Sequence, residues 1–310
     1  MSKRRGLFLN LRYITEAVMM DLFWGFARLL PMAIAPGFGA VLGRLAGWLD
    51  LRRRRVAVEN LQRAYGDEMT ASEARRTAID YYAHLGRMFF TMQGIQSRHP
   101  RLPFHHWVDY SEEEISQVRE LLRVHGSLII VTCHGGAWEL GGAAVSELVA
   151  PLHVVFRPMA NPWLNRRLER WRKKLGVPLI EYNMRALAQM QRLLRQGECI
   201  ALLADLNQKK GGVFADFFGQ PTSTTRAPGL LAVRRKVPVV CSYVYRREEP
   251  WRFQLYFDPP IFAQEEGTVD ERILHVTQEI NASAERFVRA HPTQWQWNYK
   301  RWKTQPQGTL

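Results

Sequence analysis

Cysteine is scarce in this chain. Its three residues, Cys133, Cys199 and Cys241, are odd in number and each lies in an apolar, strand-like run. That pattern argues against a disulfide framework and for a reducing compartment. The nine histidines show none of the paired spacing of a zinc site, so no metal is expected. Low-complexity stretches, internal repeats, the standard nucleic-acid recognition signatures and a small-residue signal-peptidase site are also absent. Acidic residues are in deficit, 29 against 43 Lys and Arg, for a formal charge of +14. The excess favours an anionic partner: nucleic acid, phospholipid headgroups, a phosphorylated glycolipid or an acidic protein. Aromatic residues interleave with basic ones mainly after Gln294, so no nucleic-acid partner is expected.

What is present begins with apolar content, 46% hydrophobic over 310 residues, enough for one large α/β domain with a helical extension. From Ala17 to Ala35 the chain reads AVMMDLFWGFARLLPMAIA, interrupted by Asp21 and Arg28. Two charges make a clean bilayer crossing costly. Basic residues flank both ends of the apolar region, Lys3, Arg4, Arg5 and Arg12 before it and Arg52 to Arg55 after it, which gives no clear orientation. Pro31, Pro36 and Gly37 break the run, and Phe38 to Leu49 forms a second apolar helix. We therefore expect residues 1–50 to be a retained membrane anchor, a helical hairpin or interfacial element, ahead of a domain at 51–310. The competing reading is a buried core helix.

Downstream, helix is expected from about Arg54 to Met92, with a capping box at Thr70 to Glu73, and from Ser111 to near His125. Strands are expected at Ser127–Cys133, Leu152–Phe156, Pro178–Tyr182, Cys199–Ala204, Pro238–Tyr245 and Phe253–Phe257. Helices are expected near 137–149, 161–175, 184–196, 226–236 and 268–290. The fold class is α/β, with a mixed, largely parallel sheet flanked by helices. The first four strands suit parallel crossovers, and the last two, joined by a polar turn at Arg247 to Pro250, suit an antiparallel hairpin.

The most informative residues are His134-Gly-Gly-Ala-Trp-Glu139, which follow the apolar strand and open a helix. An imidazole at a parallel strand's carboxyl end, with a carboxylate in the next helical turn, is the layout of a general base and its orienting partner. A structural His is the alternative. Cys133, its neighbour, could pair with it as a nucleophile, but strand alternation sends the two side chains apart, and a free Cys usually behaves as a small buried hydrophobe. Arg157 ends the second strand, with Asn161-Pro162 following at a helix start. Asp205 ends the fourth, before Lys209, Lys210 and an aromatic patch. In one parallel sheet His134, Arg157 and Asp205 would emerge at the same edge; otherwise Arg157 is a surface ion pair and Asp205 a loop cap.

Taken together, the H-x-x-x-x-E box, R-P-x-x-N-P at Arg157, the run from Asp205 through GVFADFFGQP and the tail Gln294-Trp-Gln-Trp-Asn-Tyr-Lys-Arg-Trp-Lys303 resemble the late acyltransferases of bacterial lipid A biosynthesis. The likeness spans the chain to about Lys303. It departs at Leu206-Asn207-Gln208, where many members carry Asp-Gln or a second acid. The resemblance implies His134 as catalytic base and Glu139 as its partner. It also implies Arg157 and Asp205 as further site residues and Gly212 to Thr225 as lining. Asn161, Lys209 and Lys210 complete the expected substrate-binding set. The reaction implied is direct transfer of an acyl chain from an acyl carrier protein thioester to a hydroxyl of a phosphorylated glycolipid, without a cofactor or acyl-enzyme. The implied setting is the cytoplasmic face of the cell inner membrane, in contact with membrane lipids. Oxyanion donors would be the N–H groups around Gly135-Gly136 or Arg157. Arg52 to Arg55, Lys209-Lys210, Arg234-Arg235-Lys236 and Arg246-Arg247 are candidate docking patches. A transferase acting on a lysophospholipid or another glycolipid is the nearest alternative.

Overall fold

A computed structural model describes residues 2–98, 103–174, 176–249 and 251–306. Pro250 of the expected turn, residue 175 of an expected helix and the side chains of Lys3, Arg4 and Arg5 lie outside the described residues. Among the described residues four α-helices precede the main sheet: α1 (Ser2–Leu29), α2 (Ala35–Leu49), α3 (Leu51–Tyr65) and α4 (Ala71–Arg98). The single helix expected over Arg54 to Met92 is thus two, because Gly66 takes a positive φ and ends α3. The expected capping box starts α4: Thr70 N–H donates to Glu73 Oε2 at 2.8 Å, and Glu73 N–H donates back to Thr70 Oγ1 at 3.3 Å.

The α/β part runs β1 (Val108–Asp109), α5 (Glu112–His125), β2 (Ile129–Thr132), α6 (Trp138–Leu148), β3 (Leu152–Phe156), α7 (Pro162–Lys174), β4 (Leu179–Glu181), α8 (Ala186–Arg195) and β5 (Cys199–Leu203). It continues with β6 (Gly212–Phe217), β7 (Gln220–Thr225), α9 (Ala227–Arg235), β8 (Val239–Arg246), β9 (Phe253–Phe257) and α10 (Val269–Ala290). The main sheet is seven-stranded in the order β1-β9-β8-β2-β5-β3-β4, and only the β8–β9 pair is antiparallel. The central strands are apolar on both faces, as helices covering both sides require. The β6–β7 hairpin, read from sequence only as a loop and aromatic patch, turns through Phe218 and Gly219, both at positive φ.

At the amino-terminal end, α2 lies closely along α4. Side chains at Gly39, Gly43 or Gly86 would collide with the facing backbone, so the two helices approach only because these residues lack a Cβ. Phe23 of α1 stacks on Phe89 of α4, and Asp21 and Glu16 of α1 bind Arg167 and Asn161 of the α7 region. The other side of this layer is exposed and apolar, with Val18, Met19, Leu22, Leu29, Val41, Leu45, Trp48 and Leu49 facing outward. No described helix is long and apolar enough to cross a membrane.

Candidate active site

The parallel strands β2, β3 and β5 deliver His134, Arg157 and Asp205 to one edge of the sheet. His134 and Arg157 border a cavity of about 460 Å³, and Asp205 lies buried behind His134. Thr132, Phe156 and Leu203 lie at its strand-end rim, Ile130, Leu152, Val154 and Ala201 along the sheet, and Gly142 and Val145 of α6 with Leu168 of α7 opposite. The lining is mostly apolar, and the polar groups cluster at the rim. This is the composition of a site that takes an apolar body and reacts at one end.

His134 meets Asp205 through two hydrogen bonds: its N–H donates to Oδ2 at 2.8 Å, and Nδ1 lies 2.7 Å from Oδ1. A carboxylate only accepts, so Nδ1 carries the proton and Nε2 keeps its lone pair. Asp205 is 3% exposed and accepts a further bond from Trp295 Nε1 at 2.8 Å. Burial pushes its carboxyl upward, but attraction to His134 and these hydrogen bonds outweigh that and hold it below the usual carboxylate range. Asp205 is therefore a buried carboxylate that orients His134, which corrects its placement among the substrate contacts.

Glu139 does not partner His134. Its carboxylate is taken by Arg172 of α7, at 2.5 and 3.2 Å. The helix start does bring Glu139 to the cavity, but the adjacent strand delivers a deeper carboxylate to the imidazole. Arg157 lines the rim with its guanidinium 5.0 Å above the Tyr182 ring. Asn161 is not placed to bind substrate: it caps α7 through Oδ1, bonded by Trp163 and Leu164 N–H, and its Nδ2 donates to Tyr13 O and Glu16 of α1. Lys209 and Lys210 are exposed and outside the cavity lining. Of Gly212 to Thr225, Thr225 reaches the cavity, while Phe217, Phe218 and Thr222 to Thr224 are buried in the core.

The N–H groups of Gly135, Gly136 and Ala137 are also spoken for. They donate to Cys133 O, Gln294 O and Val244 O, at 2.8, 2.7 and 2.7 Å. They build the turn and are not available as oxyanion donors. Cys133 is 1% exposed within the core, and burial pushes its thiol well above the ordinary range, which removes it as a nucleophile. Among the proposed docking runs, Arg53, Arg55 and Arg247 are matched locally by Asp50, Glu59 and Asp109. Among the described residues no group of His, Cys, Asp and Glu could hold a metal ion.

Sequence reasoning missed the tail's role behind this site. Gln294 O and Gln296 N–H clasp the backbone of Gly136 and His134, and Trp295, at 1% exposure, reaches Asp205. Asn60 Nδ2 holds Trp297 O and Tyr299 O, each at 2.7 Å, while Arg301, also 1% exposed, donates to Ser223 O and Thr224 Oγ1. The density of tryptophan was the available signal, since such large rings bury much apolar area and their N–H usually finds a partner when buried, as those of Trp295 and Trp297 do.

His84 of α4 supports the same turn, its Nε2 lying 3.3 Å from Gly136 O. Burial, reinforced by the charge of Arg246, lowers its pKa to about 3 despite that hydrogen bond. The native state thus keeps His84 neutral while the unfolded chain protonates it below about 6.5. Stability from this residue is complete above about 6.5 and is lost as pH falls toward 3, by at most about 1.4 kcal/mol per pH unit. Urea unfolding at pH 7 and pH 5 should show a loss of about 2 kcal/mol that His84→Gln largely removes. An equal loss in the variant would place the acid sensitivity elsewhere.

Comparison with known proteins agrees with this geometry. The profile of the family described as bacterial lipid A biosynthesis acyltransferase matches residues 1–304. The chain is 23% identical to the lipid A biosynthesis palmitoleoyltransferase of Escherichia coli K12, over 97% of this chain and 95% of the relative. It is 23% identical to that organism's lauroyltransferase, over 90% and 88%. It is 24% identical to a phosphatidylinositol mannoside acyltransferase of Mycolicibacterium smegmatis, also over 90% and 88%. With a parallel α/β sheet, a His–Asp pair at its strand-end edge and a family match along nearly the whole chain, this protein belongs to the bacterial lipid A biosynthesis acyltransferases.

Proposed function

We propose that this enzyme transfers a fatty acyl chain from an acyl carrier protein thioester to a hydroxyl of a phosphorylated lipid A precursor, at the cytoplasmic face of the inner membrane. The observation that carries the reading is the His134–Asp205 pair at the rim of an apolar cavity. The acyl chain occupies the cavity, and its thioester carbonyl sits at the rim beside His134. Nε2 accepts the proton of the acceptor hydroxyl as that oxygen attacks the carbonyl. Asp205 stabilises the imidazolium so formed. Collapse of the tetrahedral intermediate expels the carrier thiolate, which takes the proton back from Nε2. No acyl-enzyme or cofactor enters this scheme. Since the Gly135 to Ala137 N–H groups are occupied, the oxyanion falls to the first-turn N–H groups of α6 and to Arg157.

The exposed apolar side of α1 and α2 supports an interfacial attachment to membrane lipids, with its Asp21 and Glu16 turned to Arg167 and Asn161. The triple variant Leu22→Glu, Leu29→Glu, Leu49→Glu should shift most of the protein from a salt-washed membrane fraction to the supernatant. Full retention of the folded variant would place the attachment elsewhere.

The acceptor is the open choice within the family, because a mannoside acyltransferase is as similar to this chain as the lipid A enzymes are. The test is purified enzyme, acyl carrier protein thioesters and both acceptors, with products identified by mass spectrometry. Acylation of the lipid A precursor is expected. Acylation of the mannoside alone would transfer the assignment, and transfer only from a coenzyme A thioester would overturn the donor.

A further inference from the structure

The cavity has a measurable geometry that bears on which acyl chain it accepts. Helix α6 starts at the reactive edge and runs back toward the beginning of β3, antiparallel to the strands it covers. Of its residues, Trp138 and Glu139 face the cavity at the rim, Gly141 and Gly142 about one turn further on, and Val145 beyond that. On the sheet side Phe156 stands at the rim and Leu152, four residues earlier in β3, near the far end. At 3.3 Å per strand residue that depth is about 13 Å. At 1.5 Å per helix residue Gly142 lies about 6 Å below Trp138, roughly halfway down.

Gly142 differs from the other small residues around it. A Cβ at neighbouring Gly141 would press on Val244, so Gly141 is small for packing, whereas a Cβ at Gly142 meets no atom within 4 Å. A glycine inside a helix is destabilising relative to alanine, so its presence carries a cost. No packing contact at this position accounts for that cost, and the space it leaves belongs to the cavity.

We infer that Gly142 is a specificity-determining residue: its missing side chain keeps the lower half of the cavity open and thereby sets the length of acyl chain the enzyme accepts. This rests on the acyl chain occupying the cavity, as proposed above. A side chain at 142 would project across the slot toward β2 and β3 and stop a hydrocarbon before it reaches Val145 and Leu152, while leaving His134 and the rim untouched.

The experiment is a one-pot competition among saturated acyl carrier protein donors of graded length, with products weighed by mass spectrometry, for the parent, Gly142→Ala and Gly142→Leu. Both substitutions raise helix propensity, so folded protein is expected. Gly142→Leu should lower the use of the longest donor that the parent accepts at least tenfold relative to the shortest, with Gly142→Ala in between. A chain-length profile identical to the parent's, or an equal loss at every length, would overturn the inference. Thermal stabilisation of the same proteins by free fatty acids of graded length reads the cavity without turnover. If the parent transfers nothing but its length-dependent stabilisation shortens in Gly142→Leu, the inference stands and the donor assignment fails. If the parent is active and neither profile moves, Gly142 alone is wrong.

Discussion

Replacing His134 by alanine is expected to lower acyl transfer by about 10²–10⁴-fold, the usual contribution of a positioned general base. An acceptor hydroxyl titrates far above neutrality, so without a base the attacking oxygen must shed its proton to water. The substitution should leave the fold intact, because the surrounding turn is held by backbone bonds that alanine preserves: position 134 N–H to Asp205, Gly136 N–H to Gln294 O and Gln296 N–H to the carbonyl of 134. Steady-state transfer from an acyl carrier protein thioester, with thermal unfolding as the control, checks this. Near-normal turnover by a folded variant would remove the imidazole from the chemistry.

The second large effect is expected from Asp205→Asn, and its direction follows from donor counting. Three donors converge on the two carboxylate oxygens: His134 N–H and Trp295 Nε1–H on Oδ2, and His134 Nδ1–H on Oδ1. An amide of the same size offers one oxygen and one NH₂ group. If the oxygen takes the doubly bonded position, the NH₂ faces Nδ1 and forces the proton to Nε2, the atom that must be free to act as base. Such a wrong tautomer costs about 10⁴-fold in kcat in a serine protease, and a loss of that order is expected here with KM little changed. The mismatch in a buried site should also cost about 1–3 kcal/mol of stability, readable by urea unfolding. Activity within tenfold of the parent would show that Asp205 does not orient His134. Glu139→Gln, by contrast, breaks an ion pair with Arg172 at the cavity wall and leaves the tautomer alone.

Much of the fold was legible because its signals are local. The strands of the main sheet from Ile129 to Phe257 and the helices between them fall within two residues of their expected ends, since runs such as Ile-Ile-Val-Thr and Cys-Ile-Ala-Leu-Leu are apolar on both faces only when helices cover both sides. The β6–β7 hairpin was missed because its strands carry Gly, Asp, Pro and Ser alongside buried Phe217 and Thr222, so no clean alternation marks them. The amino-terminal helices were expected as an anchor. One face of this layer also packs against α4 and α7, through glycines meeting across the α2–α4 contact and through Asp21 and Glu16 reaching Arg167 and Asn161.

By itself the sequence determined the α/β class, the strand-end position of His134, the mainly parallel sheet and the appearance of Arg157 and Asp205 at the same edge, because periodicity and strand direction are properties of contiguous residues. Only the tertiary structure decided which group serves which. Glu139, five positions from His134 in the chain, is drawn away by Arg172, while Asp205, 71 residues distant, arrives on the adjacent strand with both oxygens aimed at the ring and its N–H. Trp295 comes from a further 90 residues along. A carboxylate binds the donors that burial and direction place within reach, and in a parallel sheet those are set by strand order, which residue spacing does not encode.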